Sequence, residues 1–430
     1  MTYPTSTLDR PFAVASERRA LNPGPVGVAV AALALGAWYL DTVVSWRQAA
    51  LFLVGGAAGV VLYHAAFGFT SAWRAFIADG RGAGLRAQML MLAVTCLVFV
   101  PALGSGHLLG QAVRGSVSPV GLSVVAGAFL FGIGMQLGGG CASGTLYTAG
   151  GGNTRMLVTL LCFIAGSVVG VAHMPWWEKA PALKPISLIA AFGPVAALAI
   201  SLCLFGLVAA LTVVVERRRH GRVSGIARAA EGASASPAVA RVESSRAEAG
   251  GFSRASPSIL HGPWPLAAGA VGLALVNIST LALAGRPWGV TSAFALWGSK
   301  VAAAIGVNVA SWPYWAPAAR AAELKASVVR DITSVMDIGI ILGAVVAAGL
   351  AGRFAPAWRV PLRSLVAAVV GGLLLGYGAR IAYGCNIGAY FSGIASASVH
   401  GWLWLVAAFA GSVIGTKLRP FFGLRVERSA

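Results

Sequence analysis

The stretch that decides the fold reads Gly127-Ala128-Phe129-Leu130-Phe131-Gly132-Ile133-Gly134-Met135-Gln136-Leu137-Gly138-Gly139-Gly140-Cys141-Ala142-Ser143-Gly144. It returns as Gly371-Gly372-Leu373-Leu374-Leu375-Gly376-Tyr377-Gly378-Ala379-Arg380-Ile381-Ala382-Tyr383-Gly384-Cys385-Asn386-Ile387-Gly388. Each copy is an apolar, glycine-spaced helix running into Gly-Cys-x-x-Gly. A small-residue helix followed by an irregular glycine loop exposes backbone amides and one thiol at a fixed place, which suits close approach of a ligand. The two loops read as the halves of one site.

The repetition extends on both sides. Gly68-Phe69-Thr70-Ser71-Ala72-Trp73 matches Gly289-Val290-Thr291-Ser292-Ala293-Phe294, and Ala165-Gly166-Ser167-Val168-Val169-Gly170 matches Ala410-Gly411-Ser412-Val413-Ile414-Gly415. The copies are offset by 221 residues at the first phrase and 244 at the cysteines, which places about 23 extra residues in the second half, around 311–330.

Composition sets the solvent. With 57% hydrophobic and 10% charged residues and a mean hydropathy of +0.79, the chain reads as an all-α polytopic membrane protein. Its 56 glycines fit close helix packing in lipid. The net charge of +19 lies between apolar segments and in a linker, without a basic and aromatic groove, so nucleic acid is excluded as a partner and the lipid bilayer is implied. No cysteine pair has CxxC spacing and no GxxxxGK[ST] phrase occurs, so neither a zinc site nor direct ATP coupling is expected; no metal or cofactor is called for. The polar stretch before the first apolar run predicts that no cleavable signal peptide is present.

Ten spans are predicted, at 26–44, 49–67, 87–103, 120–137, 156–172, 186–215, 265–284, 334–350, 365–382 and 402–415. They divide the chain into an N-terminal tail (1–25), a first repeat with flanking spans (26–215), a disordered basic linker (216–263), a second repeat (264–418) and a C-terminal tail (419–430). An eleventh apolar stretch, 289–310, decides the topology. If it dips in and returns, five crossings separate the repeat mates and the halves are inverted, as in many transporters. With both termini cytoplasmic, the inner segments then hold 22 Lys and Arg residues against nine outside, or 14 against nine without the linker, with Arg380 left inside a span.

Within this frame Cys141 and Cys385, with Gly140, Gly144, Gly384 and Gly388, form the candidate site. A lone cysteine at a crowded helix end is often just a small residue that fits; the duplicated glycine context argues for a thiol meeting a polarisable sulfur atom. Arg380 is either an oxyanion clamp or the partner of a carboxylate such as Asp337, and its repeat mate Gln136 is neutral. Lys300 adds positive charge or snorkels. Thr70, Ser71, Thr291 and Ser292 are candidate N-caps of short helices whose positive ends favour an anion; Asn386, Tyr377 and Tyr383 are further candidate donors. Trp288, Trp297, Trp312, Trp315, Trp402 and Trp404 read as interfacial anchors, and Cys96, Cys162 and Cys203 as small buried hydrophobes.

Both glycine-cysteine phrases, with Gly68-Phe69-Thr70-Ser71-Ala72 and Arg286-Pro287-Trp288-Gly289-Val290-Thr291, resemble the YeeE/YedE family of thiosulfate and sulfur-compound transporters over about 49–170 and 265–415. The resemblance implies an inverted-repeat protein of the bacterial inner membrane whose short re-entrant helices form a central pore, with thiosulfate passed between cysteine thiols by S–H to S hydrogen bonds. Cys141 and Cys385 match the cysteines of the two glycine loops. The family's thiosulfate members also carry a cysteine in the re-entrant part of the second half, and 286–310 contains none. Transport of a small sulfur anion, thiosulfate by preference, is thus the leading expectation, with no enzymatic activity. The alternatives are a selenium or other sulfur compound as substrate, or a membrane sulfurtransferase that forms a cysteine persulfide and hands sulfur to a cytoplasmic carrier protein.

Overall fold

Each apolar run in the computed structural model forms a helix, because a chain in lipid must satisfy its backbone internally. Residues 21–227, 260–354, 356 and 360–426 are described. Most of the N-terminal tail and the body of the linker therefore lie outside the described residues. The first half contains α1 (Pro23–Val43), α2 (Trp46–His64), a short α3 (Phe69–Asp79), α4 (Ala83–Ser105), α5 (Leu122–Gly138), a short α6 (Ala142–Gly150), α7 (Thr154–Trp177) and α8 (Leu188–His220). The second contains α9 (Leu266–Ala284), a short α10 (Thr291–Ala304), α11 (Ala318–Lys325), α12 (Ile332–Leu350), α13 (Leu362–Ile381), a π-helical turn (Asn386–Phe391) running into α14 (Ser392–Ala395), and α15 (Val399–Leu418). Strand pairing among the described residues is slight: two-residue ribbons join His107–Leu108 with Gln111–Ala112 and Val120–Gly121 with Ala182–Leu183, and an isolated antiparallel bridge joins Ser187 and Ser398.

Among the described residues, ten helical segments are long and apolar enough to cross a bilayer, so the protein is an all-α polytopic membrane protein. Each overlaps one of the ten predicted spans, and the segments Trp46–Asp79, Leu122–Gly150 and Leu362–Ala395 run on through the short helix that follows. The eleventh stretch is not among them: α10 has 14 residues, a rise of about 21 Å at 1.5 Å per residue, short of a hydrocarbon core about 30 Å thick.

Packing partners recur in pairs. Helix α13 packs on α7 as α5 packs on α15; α12 packs on α2 as α4 packs on α9; α5 and α13 meet directly. Glycines make this closeness possible. A Cβ on Gly132 would strike the carbonyl of Ala408, and one on Gly376 that of Phe163; the positions Gly166 and Gly411 are blocked by the carbonyls of Leu373 and Phe129 in the same way. Between α5 and α13 themselves, Gly127 faces the Gly378 carbonyl and Gly378 faces that of Gly127. Backbone therefore lies on backbone, with no side-chain layer between, as small residues permit in a membrane.

Helices α1 and α8 flank this core and leave most of their surface outward. Cys203 on α8 is exposed rather than buried, Cys162 is half-buried and Cys96 is buried. Gly193, with φ of +78°, and Pro194 break α8 near its start. The helix then runs past Glu216, where the sequence reading began the linker, to His220. Glu216 is buried and its carboxylate accepts bonds from Arg86 Nη2 at 2.8 Å and the backbone N–H of Gly82 and Ser224 at 3.2 and 3.1 Å, which ties this end of α8 to α4.

The tryptophans depart from the interfacial expectation. Trp288, Trp315 and Trp404 are buried, and Trp404 stacks on Tyr390 and donates to the Gly384 carbonyl at 3.1 Å. Their place at the ends of apolar runs concealed that those ends fold back into protein.

Candidate functional site

The two cysteine loops leave their helices in parallel ways. After α5, Gly139 adopts φ of +91°, Gly140 packs against Gly144, and Cys141 stands in extended conformation just before α6. Its carbonyl accepts both the N–H and the hydroxyl of Thr145, each at 2.8 Å, and its Sγ lies 3.5 Å from Ser143 Oγ. After α13, Tyr383 has φ of +59° and Gly384 φ of +149°, where a Cβ would sit 2.8 Å from the Ala389 nitrogen. Cys385 then stands extended, its carbonyl taking N–H bonds from Ala389 at 2.9 Å and Tyr390 at 3.3 Å. Each thiol thus stands at the N-terminal end of a helical turn, where free N–H groups favour a negative charge. Both are free and buried, Cys141 at 2% and Cys385 at 0% exposure, and α6 touches the π-helical turn of the other half.

A cavity of about 240 Å³ opens on the second loop. Gly384, Gly388 and Tyr383 form one wall, 286–292 another and 114–116 a third. Three arginines are among its lining residues: Arg114, Arg286 and Arg380. The Arg114 N–H donates to the Gly285 carbonyl at 2.9 Å, and Ser116 Oγ to the Gly388 carbonyl at 3.3 Å, which docks the α4–α5 connection onto the second half. Arg286 Nη2 donates to Thr333 Oγ1 at 3.1 Å, as does Ser292 Oγ at 3.0 Å. Burial holds the Arg286 guanidinium below its ordinary pKa, opposed by the carboxylates of Asp331 and Glu323 and reinforced by Arg114. Glu323 is exposed as a residue, and partial desolvation of its carboxyl group together with Asp331 pushes that group up, against the pull of Arg286, Arg380 and Arg320.

Arg380 does not pair with Asp337. Its guanidinium carbon lies 5.2 Å from the Tyr314 ring centroid, with Arg320 also over that ring at 4.2 Å, and its buried Nε has no hydrogen-bond partner among the described residues. Asn386, fully buried beside Cys385, has neither side-chain atom bonded among the described residues. A buried amide without partners is costly, so Asn386 and Arg380 Nε leave unmet bonding capacity among the described residues.

The expected site residues therefore separate into two groups. Arg380, Thr291, Ser292, Gly384 and Gly388 line the cavity, with Cys385 and Asn386 next to it in the chain. Cys141, Gly140, Gly144, Gln136, Thr70 and Ser71 form the second group and are not among the cavity's lining residues. In that group Gln136 is spent on structure: it takes an Arg74 bond at 3.5 Å, donates to the Thr70 carbonyl at 3.2 Å, and its own carbonyl receives Arg419 at 2.6 Å. Arg155 donates to the Leu137 and Gly138 carbonyls, both at 2.7 Å, so cations close the carbonyl end of α5.

None of the four hydroxyl residues caps a helix. Gly68 and Val290 precede α3 and α10, Ser71 Oγ donates back to the Gly68 carbonyl at 3.1 Å, and Ser292 serves Thr333. Tyr377 is turned away, accepting from Trp177 Nε1 at 2.8 Å. Lys300 donates to the Leu324 and Ala326 carbonyls at 2.6 and 2.7 Å and so anchors the extra segment instead of snorkelling. Arg114 and Arg286 were not chosen from the sequence; each is an arginine on the side counted as outer, where the charge bias runs against it, and that was the available signal.

Residues 64–414 match the family described as sulphur transport. The chain is 30% identical over 166 residues to a probable transporter YedE of Salmonella typhimurium, a match spanning 38% of this chain and 40% of that relative. It is 27% identical over 378 residues to the thiosulfate transporter TsuA of Spirochaeta thermophila, covering 82% of this chain and 92% of the other. With a match that takes in both cysteine loops and the cavity between their halves, the chain belongs to the sulphur transport family.

Proposed function

We propose that this protein carries a small sulfur-containing anion, thiosulfate by preference, inward across the bacterial inner membrane, with both termini in the cytoplasm. The carrying observation is the cavity in which Arg114, Arg286 and Arg380 converge beside Cys385, with Arg380 Nε and the Asn386 amide unbonded. Such a site meets both ends of thiosulfate: guanidinium forks match the sulfonate oxygens, and a thiol meets the soft terminal sulfur. The ion then passes from Cys385 across the α6 contact to Cys141 and leaves along the side closed by Arg74, Arg155 and Arg419. The doubled order of helices and their reciprocal packing support two inverted repeats with the cysteine loops near mid-membrane. The relative named a thiosulfate transporter supports the same substrate. Thr291 and Ser292 line the cavity where a third cysteine is lacking and supply hydroxyls in its place. Deep burial of both thiols favours passage of the intact ion over persulfide hand-off to a carrier protein, which needs an accessible sulfur.

Uptake of labelled thiosulfate, sulfate and selenite in cells lacking their own importers tests the reading. Thiosulfate is expected to be preferred, and Cys385→Ala to reduce its uptake at least about tenfold, the scale of one lost charge-assisted contact. Unchanged uptake in a well-expressed Cys385→Ala variant removes the relay.

A further inference from the structure

Asp337 is unexplained by the site above. It lies in the second turn of α12, is 0% exposed, and neither carboxylate oxygen has a hydrogen-bond partner among the described residues. One turn earlier, Thr333 takes the bonds of Arg286 and Ser292 at the cavity wall. One turn later, the Ile341 carbonyl packs against Gly150 of α6, the helix that Cys141 begins. Residues four apart share a helix face, so Asp337 stands between the residues that meet the arginine cavity and those that meet the far end of α6, the helix that follows Cys141.

The groups that bear on it are few. Asp331 caps its own helix; Cys385 stands at the start of the π-helical turn; Cys141 and Tyr147 belong to the 141–150 segment; and Lys300 on α10 is engaged by the Leu324 and Ala326 carbonyls. Helix α2 meets α12 through Gly55, Gly56 and Gly59. No cation pairs with this carboxylate among the described residues, and a fixed negative charge here would repel the anion the cavity collects.

We propose that Asp337 is a proton-binding site that couples inward anion movement to the proton gradient, an inference that rests on the transport reading. A proton from outer water forms the carboxyl O–H bond, the neutral acid lets the anion pass and donates to it, and the bond then breaks toward inner water, regenerating the carboxylate without redox change. The benefit is large, because 100 mV, negative inside, excludes a dianion on the order of two-thousandfold.

The test uses the full chain in liposomes with the voltage clamped at zero, labelled thiosulfate outside and a pH dye in the lumen. A gradient of one pH unit, acid outside, should drive about tenfold accumulation per coupled proton, with acidification of the lumen on thiosulfate addition. D337N should still exchange labelled thiosulfate but neither accumulate it nor acidify the lumen. Wild-type uptake without acidification or response to the gradient overturns the proposal, as does D337N that keeps both; the wild-type dye signal decides even where D337N fails to fold. Absence of any thiosulfate movement by wild type instead strikes the transport reading beneath it.

Discussion

Replacing Arg380 by Gln removes the guanidinium of a residue that lines the cavity with an unbonded Nε. The gross Coulomb attraction between one cation and a dianion at about 4 Å, in an effective dielectric of about 20, is roughly 8 kcal/mol. Desolvation of both ions cancels most of that, and one hydrogen bond to a charged group contributes a net of about 1.5–3 kcal/mol. Thiosulfate KM should therefore rise about ten- to 150-fold. The assay is initial uptake against concentration, in liposomes holding the full chain, at low and high salt. Arg114 is exposed and should serve as the contrast: the effect of R114Q should fade as the Debye length contracts to about 3 Å at 1 M salt, whereas that of R380Q, half-buried under Tyr314, should persist. A folded R380Q protein with KM within about twofold of wild type at both salts would refute the assignment of the cavity as the anion site.

The Glu323 carboxyl, pushed up by partial desolvation and Asp331, takes up its proton at a higher pH than an ordinary carboxylate. As a carboxylate it offsets Arg286 and Arg380, so anion affinity should rise as outside pH falls through its pKa. E323Q should hold the tighter affinity throughout, and KM measured from about pH 5 to 8 with the lumen clamped checks this; an unchanged pH slope in E323Q speaks against it. Gly132→Ala and Gly376→Ala press a methyl group onto equivalent carbonyls and should each destabilise by about 1–3 kcal/mol, matching to within about 0.5 kcal/mol in thermal unfolding in detergent. A large loss in one and none in the other would show that the packing is not doubled.

The spans were legible because hydrophobic length is a local property, and the doubling was legible because Gly-Cys-x-x-Gly kept its spacing in both copies. The cavity was not. Its three arginines come from the α4–α5 connection, the 286–292 segment and the end of α13, and nothing in a linear pattern says that those segments meet. Gln136 shows the reverse failure. Its place opposite Arg380 in the repeat suggested a donor for the substrate, but the buried carbonyl end of α5 consumes it, with Arg74 and Arg419. Trp288 and Trp404 mislead for a related reason: an indole at the end of an apolar run looks interfacial whether that end meets headgroups or folds back into protein. Arg114 and Arg286 count against the charge bias from which the orientation is expected, and both line the cavity.

The glycine contacts between α5 and α13, and from each of them to α15 and α7, constrain what can move. Gears with no clearance do not slip: a swing of one half against the other would have to lift α-carbons off carbonyls along every one of these seams at once. The scaffold is thereby committed to a fixed frame, and any working stroke would fall to segments outside these seams. Gly289 and Gly388, whose added Cβ atoms would meet only open space, stand at the mouth where such a stroke can begin.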